Sequence, residues 1–147
     1  ASVSKSITVL YSSSIIDIKI KRDIESTMTS VGHVKWIDSE NMMDCITAIS
    51  GSGPAYFFLF FESFVTAAIK SGLPKELSLE LVTKTIEGSF EMILKGQNAN
   101  KLIEQVASPG GTTEAALKVL DNSKKGLRRL MINTVDAAAK KSRQLEI

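Results

Sequence analysis

The chain has 147 residues, a length that fits one domain, or one domain with part of a second. Hydrophobic residues make up 44% of it, enough for a packed core of ordinary globular composition. Its 18 basic and 16 acidic residues are scattered along the chain, so no clustered basic face indicates a nucleic-acid-binding protein. The single cysteine, Cys45, excludes an internal disulfide and is expected to be a buried, unreactive thiol.

Signals for a metal, a leader peptide and a membrane span are all weak in this sequence. The one histidine, His33, has no partners at ligand spacing, so we predict no metal site and expect an exposed or capping histidine. No charged N-terminal region with a cleavage site indicates a signal peptide. The most apolar run, residues 54–69, contains Glu62 and Ser63 and is shorter than the ~20 residues of a membrane span. We therefore expect a core helix of a soluble protein.

The N-terminal part of the chain is predicted to form one β-α-β unit. Residues 7–11 are a short β-rich run, and residues 15–30 repeat apolar side chains every four positions, as a helix does. Gly32 stands where a helix-terminating glycine is common, and residues 33–37 alternate like a half-buried strand. Because two strands alone are marginally stable, we interpret residues 1–38 as the edge of a larger α/β sheet.

Residues 39–147 are predicted to be helical almost throughout. Asp38, Ser39 or Asn41 can cap a first helix, which the segment 50–54 is expected to break. Glycine, proline or asparagine separates the helices that follow. These helices are expected at residues 54–71, 74–95, 98–106 and 113–120, with a last one after Lys125 and Gly126.

The helix predicted at residues 54–71 is apolar on nearly every side and includes a run of phenylalanines. A surface helix shows one apolar stripe, so a helix of this composition must be enclosed on all sides. The core of one chain of this size is too small to enclose this helix on all sides. A subunit interface is therefore predicted as its second cover.

Two glycine segments are candidates for a ligand loop, and the first does not fit a known fingerprint. Gly51-Ser52-Gly53 supplies the first two glycines of a dinucleotide-binding loop, but Tyr56 stands at the third position. A helix also precedes the segment where the fingerprint requires a strand. We interpret it as a corner between helices.

The second segment, residues 108–114 (SPGGTTE), places two glycines and two threonines directly before a helix. Unpaired amides and the positive dipole end at a helix start hold small anions such as a carboxylate. The same residues also suit simple capping, with Thr112 or Thr113 as the N-cap and Glu114 favouring the first turn. On the residues alone, both the ligand loop and the cap stay open.

Three motifs follow one another along the chain: residues 47–56 (TAISGSGPAY), 71–74 (SGLP) and 108–117 (SPGGTTEAAL). In order and spacing they resemble the C-terminal domain of pyrroline-5-carboxylate reductases, and the third is the specific signature of that family. Residues 31–37 resemble the last strand of the family's nucleotide-binding domain. The resemblance covers essentially the whole chain.

The resemblance implies a mainly α fold. Residues 39–147 would be a helical bundle dimerisation domain of the 6-phosphogluconate-dehydrogenase C-terminal-like type, and residues 1–38 a β-α-β remnant of a truncated nucleotide-binding domain. It also implies a homodimer, or a higher oligomer, formed through the helical domain. The expected location is cytoplasmic, with a mitochondrial one left open, and neither nucleic acid nor a membrane is an expected partner.

The family reduces 1-pyrroline-5-carboxylate to L-proline with NADPH or NADH, the last step of proline biosynthesis. By its motif, Thr113 would be the catalytic residue, and the small-molecule substrate would be held by Ser108, Gly110, Gly111, Thr112 and Thr113. A threonine hydroxyl is a poor acid near neutral pH, so Thr113 is expected to orient the imine as a hydrogen-bond donor. Cofactor-binding residues stay unassigned because the family's glycine fingerprint is missing from this sequence. We expect the chain alone to dimerise without turning over substrate.

Two other interpretations stay open. In one, the chain is only a helical oligomerisation module and its glycine loop is a cap. In the other, it belongs to a related oxidoreductase of similar architecture with another substrate. The substitution Thr113→Ala tests the first, and competition by proline-like ring carboxylates against other acids tests the second.

Overall fold

The computed structural model describes residues 5–145, and helices dominate it, as predicted. The ends of the two predicted domains, residues 1–4 and 146–147, lie outside this description. The described chain forms two compact units, one of residues 5–53 with 134–145 and one of residues 54–133. The elements are, in chain order, β1 (Ser6–Leu10), α1 (Ile18–Thr29), β2 (Gly32–Trp36), a 3-10 turn (Glu40–Met42), α2 (Met43–Ile46), a π turn (Thr47–Gly51), α3 (Gly53–Lys70), α4 (Lys75–Leu94), α5 (Ala99–Val106), α6 (Thr112–Leu120) and α7 (Leu127–Leu145).

The predicted β-α-β unit is present. Strands β1 and β2 pair in parallel along their full length. Alternate residues of β2 are half-buried while His33 and Lys35 between them are exposed, as expected of a strand with one covered face. Helix α1 begins at Ile18 rather than at residue 15, because the Asp17 carboxylate accepts a hydrogen bond from the Lys19 amide (2.8 Å) and caps the helix there.

Gly32 does not terminate α1, so that prediction is wrong. The helix ends at Thr29 with Ser30, in right-handed conformation, as its C-cap residue, and Gly32 is the first residue of β2. A Cβ atom on Gly32 would collide with the backbone carbonyl of Ser6 on β1. The glycine therefore permits the close pairing of the two strands.

The break predicted at residues 50–54 is reduced to a bend at Ser52, and the backbone is otherwise helical from Glu40 to Lys70. The Ser52 amide donates to the Thr47 carbonyl (2.9 Å), five residues back, which widens the helix by one residue. This π turn carries the chain to Pro54, which has no N–H, without leaving the helix. The resulting 31-residue run is long and apolar enough to cross a membrane, a test that the core helix of a soluble protein passes equally.

The structure bears out one expectation near α2 in position only, and it corrects another. Ser39 stands at the N-cap position before the 3-10 turn, but its side chain makes no capping hydrogen bond. Cys45 is exposed rather than buried, whereas its neighbour Asp44 is only 8% exposed. Adjacent residues of a helix point about 100° apart, so the helix that buries one leaves the other outside.

The unit of residues 54–133 leaves a large apolar surface open. The rings of Phe57 and Phe90 meet edge to face with 5.7 Å between centroids, but Phe58 remains 72% exposed. Apolar surface of this extent marks an interaction site, so the predicted need for a second cover persists in the folded chain. We name its open centre the phenylalanine groove, which is lined by Phe57, Phe58, Phe60, Phe61, Ile86 and Phe90.

A tight turn joins α6 to α7. The Asn122 side chain accepts hydrogen bonds from two following lysine amides (3.0 and 3.1 Å), and its carbonyl accepts one from the Gly126 amide (2.7 Å). Arg128 holds the same turn from α7, with its Nε 2.7 Å from Asp121 Oδ1. Gly126 is buried within this arrangement.

Gly126→Ala is expected to destabilise the chain. The added Cβ would collide with backbone atoms of Asn122 and Leu120, which cannot move aside as the end of a flexible side chain can. We expect the free energy of unfolding, measured by urea denaturation, to fall by about 1–3 kcal/mol. The matched variant Gly88→Ala, with open space around its Cβ inside α4, should raise it by about 0.5–1 kcal/mol. Equal stabilities of the two variants would contradict this account of the turn.

Candidate functional site

Residues 108–111 form a tight turn that ends at the start of α6. The Gly111 amide donates to the Ser108 carbonyl (3.0 Å), with Pro109 at the second position and Gly110 at the third. The φ of Gly110 is +73°, in the left-handed region that glycine adopts without strain. Proline second and a left-handed glycine third are the features of a type II turn.

Gly111 is the N-cap residue of α6, so the prediction that Thr112 or Thr113 caps the helix is wrong. A Cβ atom on Gly111 would lie 2.5 Å from the Ser108 hydroxyl oxygen, so this glycine lets the hydroxyl lie against the helix start. Both threonines belong to the first turn of α6, where Thr113 is half-buried and Thr112 exposed.

The amides around this turn fall into two groups. Those of Gly110 and Gly111 are used inside the loop, the first by Glu114 Oε2 (2.6 Å). Those of Thr112, Thr113 and Glu114 have no acceptor within residues 5–145, and Gly111 provides no side-chain cap. These three amides carry the positive end of the helix dipole and suit a small anion.

Glu114 joins the turn to the helix through both of its carboxylate oxygens. Its Oε2 accepts from the Gly110 amide, and its Oε1 lies 2.9 Å from Lys118 Nζ, one turn along α6. The hydrogen bond from Lys118, followed by that from Gly110, lowers the pKa of Glu114 below its ordinary 4.5. The carboxylate form therefore stabilises the fold above the ordinary pKa, and this contribution is lost as the pH falls through the lowered pKa.

The other residues singled out from the sequence lack the surroundings of a ligand site. Gly51 ends the π turn and Gly53 begins α3, so neither follows a strand as a dinucleotide loop does. His33 is an exposed residue of β2. Across the part of the chain that the structure describes, no group of three or more His, Cys, Asp or Glu side chains is placed to hold a metal ion.

Two acidic residues, Glu114 and Asp44, have surroundings that the sequence does not predict. For Glu114 the sequence indicates a favourable first-turn charge, but not the bond to Gly110. A glutamate three residues after an N-cap is the spacing of a capping box, and this signal could have indicated a backward contact. Asp44 is buried, and its Oδ1 has no hydrogen-bond partner among the described residues. No local pattern distinguishes it from an exposed acidic residue near a helix start.

The fold and the loop together define a class of protein: a mainly helical domain with a large uncovered apolar face and a helix start open to a small anion. Residues 40–145 match the family described as pyrroline-5-carboxylate reductase dimerisation. The chain belongs to this family.

Individual relatives are similar over most of this chain. The pyrroline-5-carboxylate reductase of Glycine max is 41% identical over 117 residues, which cover 79% of this chain and 42% of that protein. The structure of a pyrroline-5-carboxylate reductase from Coxiella burnetii has a TM-score of 0.87 at 40% identity and covers 99% of this chain and 54% of its own. The Plasmodium falciparum pyrroline carboxylate reductase with NADP bound has a TM-score of 0.87 at 37% identity, covering 97% and 53%. The chain spans about half the length of these relatives.

Lys118→Met is expected to raise the pKa of Glu114 towards 4.5, because it removes the larger cause of the lowering. A carboxyl-carbon NMR titration measures this shift, and the chemical shift of the Gly110 amide should follow the same titration. Glu87, whose pKa is lowered by its own surface pair with Lys84, should titrate alike in both proteins. An unchanged Glu114 titration would contradict the assigned ion pair.

Proposed function

We propose that this chain is the helical half of a pyrroline-5-carboxylate reductase, which reduces 1-pyrroline-5-carboxylate to L-proline with NADPH or NADH in the last step of proline biosynthesis. The observation that carries the proposal is the start of α6, where three adjacent amides without an acceptor within residues 5–145 follow a Ser-Pro-Gly-Gly turn. The substrate is a small ring with one carboxylate, the kind of anion that a helix start holds. Membership of the family and the names of its relatives support this assignment.

The residues of the loop divide the work of substrate binding in this proposal. The amides of residues 112–114 donate to the substrate carboxylate, and the Ser108 hydroxyl adds a donor from the turn. Gly110 and Gly111 contribute through their conformation, because both of their amides are already engaged inside the loop. Within the predicted set, this proposal thus separates the residues that donate to the substrate from those that shape the loop.

Thr113 is the catalytic residue of the proposal, and its part is to orient the imine. It is half-buried in the first turn of α6, among the amides that receive the carboxylate. A hydroxyl beside the ring nitrogen donates a hydrogen bond and fixes the orientation of the ring. Because this hydroxyl is too weak an acid near neutral pH, the proton that the nitrogen gains comes from water.

The glycine segment with Gly51 and Gly53 does not follow a strand, so it lacks the setting of a dinucleotide loop. We therefore propose that the cofactor, a hydride donor when bound, is held mainly by a nucleotide-binding half of the complete protein. The NADP in the P. falciparum structure supports the choice of cofactor. A boundary at residues 38–39 between the two halves is supported by a family match that begins at residue 40.

A homodimer, or a higher oligomer, formed through α3 and α4 is the second part of the proposal. Phe58 and Leu59 are 72% and 66% exposed, and the family's description as a dimerisation domain supports a second copy as their cover. A protein partner also accounts for the apolar run Glu40–Lys70 without a membrane. The proposed partners are thus a second subunit and a small molecule, without nucleic acid or membrane, in the cytoplasm or in mitochondria.

A helical oligomerisation module without a catalytic role is the second candidate. The open phenylalanine groove favours it as much as it favours the reductase. The two candidates differ in the loop at residues 108–114, which is only a helix cap in the module.

In the complete reductase, Thr113→Ala is expected to lower turnover about tenfold to hundredfold, because the ring loses the hydrogen bond that orients it. Steady-state oxidation of NADPH with 1-pyrroline-5-carboxylate measures turnover, and sedimentation checks that the dimer is intact. Thr27→Ala, which changes an exposed threonine of α1, is the control. Unchanged turnover in Thr113→Ala would leave only the oligomerisation module.

Phe58→Lys is expected to weaken self-association about tenfold or more, because it places a charge on the apolar face of α3. Sedimentation velocity over a series of protein concentrations measures the effect. Ile15→Lys replaces a fully exposed isoleucine (102%) that precedes α1 and should leave association unchanged. If the Phe58→Lys protein associates like the wild type, this surface is not the interface.

A further inference from the structure

We infer that Glu114 is a positioning residue for the carboxylate of the substrate: it fixes the glycine turn so that the amides of residues 112–114, and not that of Gly110, receive the ligand. The inference rests on the proposed function. The proposed function uses only the backbone amide of Glu114, and this inference gives a role to its side chain.

The contacts of Glu114 show how it can do this. Its Oε2 accepts from the Gly110 amide at 2.6 Å, a short N–H···O hydrogen bond. Gly110 is the left-handed residue of the turn, so the bond restrains the position with the most conformational freedom. Without it, the turn keeps only the hydrogen bond between Gly111 and Ser108, and the Gly110 amide becomes a fourth donor that competes for the ligand.

A carboxylate beside an anion site also repels the anion that it helps to place, and Lys118 offsets this effect. Its Nζ lies 2.9 Å from Glu114 Oε1. A glutamate followed four residues later by a lysine is the favourable order for such a pair on a helix. The pair adds no net charge, so the amides and the dipole of α6 act on the ligand without an opposing full charge.

A residue that only caps the helix would behave differently on substitution. Loss of a cap weakens α6 whether or not a ligand is bound, so stability and turnover fall together. Loss of a positioning residue changes KM for the carboxylate substrate more than kcat, and it leaves KM for the cofactor unchanged.

Three substitutions of Glu114 in the complete reductase test the acceptor. Glu114→Ala should raise KM for 1-pyrroline-5-carboxylate about threefold to tenfold, with kcat and the cofactor KM changed less than about twofold. Glu114→Gln keeps an oxygen for the Gly110 amide, so its KM should stay within about twofold of the wild type. In Glu114→Asp the side chain is shorter by one methylene group, so its carboxylate no longer reaches the Gly110 amide. Its KM should rise as in the alanine variant, which keeps the test available if that variant does not fold.

Lys118→Met tests the charge balance. It leaves the Glu114 carboxylate unpaired, so KM should rise about twofold at low salt and return towards the wild-type value as salt screens the charge. Lys140→Met, which removes an exposed lysine of α7, is the matched control and should leave KM unchanged.

The outcomes separate the positioning role from the proposed function. An unchanged KM in Glu114→Ala together with low turnover in Thr113→Ala overturns the positioning role alone. Unchanged kinetics in both variants overturns the proposed function itself. A KM that rises equally in the alanine and glutamine variants, or in the Lys140→Met control, also overturns the positioning role, because loss of an acceptor for Gly110 predicts neither.

Discussion

Helix α3 carries more apolar side chains than the rest of one chain covers. Its Val65 is buried to 8% exposure, but Phe58 and Leu59 on other sides of the same helix stay open to solvent. Burial of apolar area contributes roughly 25 cal/mol per Å², so cover by a second copy supplies stability that one chain lacks. In the proposed dimer, folding of the helical bundle and association of the subunits are therefore linked, and the apparent stability depends on protein concentration.

The order and type of the elements could be predicted because local chemistry determines them. Asn98 caps α5 by accepting from the Lys101 amide (3.2 Å), and Pro74 immediately precedes α4, both at predicted helix starts. The errors fall where a neighbour in space decides. Gly32 is required by the carbonyl of Ser6 on the other strand, which no pattern around Gly32 contains. The continuous helix through the glycines before α3 depends equally on a widened turn that composition does not indicate.

The candidate site divides in the same way. The turn is implicit in its own residues, because proline at the second position and glycine at the third favour one turn type. Which amides remain open to a ligand could not be predicted from sequence. That depends on the rotamer by which Glu114 reaches back to Gly110, and on Gly111 rather than a threonine serving as the N-cap. The sequence therefore indicated the loop, but not which of its backbone amides are free to donate to a ligand.

The π turn at Thr47–Gly51 holds one residue more than an α-helical turn would, just before α3 begins. Each residue of an α-helix turns the chain by about 100° and advances it by about 1.5 Å. A π turn holds one residue more than the α-helical path, so it acts as a one-residue insertion that the helix has absorbed. Deleting a single residue there would restore an ordinary α-helical turn, because the extra residue is held within one widened turn. The π turn is therefore a place where the length of the chain can change by one residue while the backbone around it stays helical.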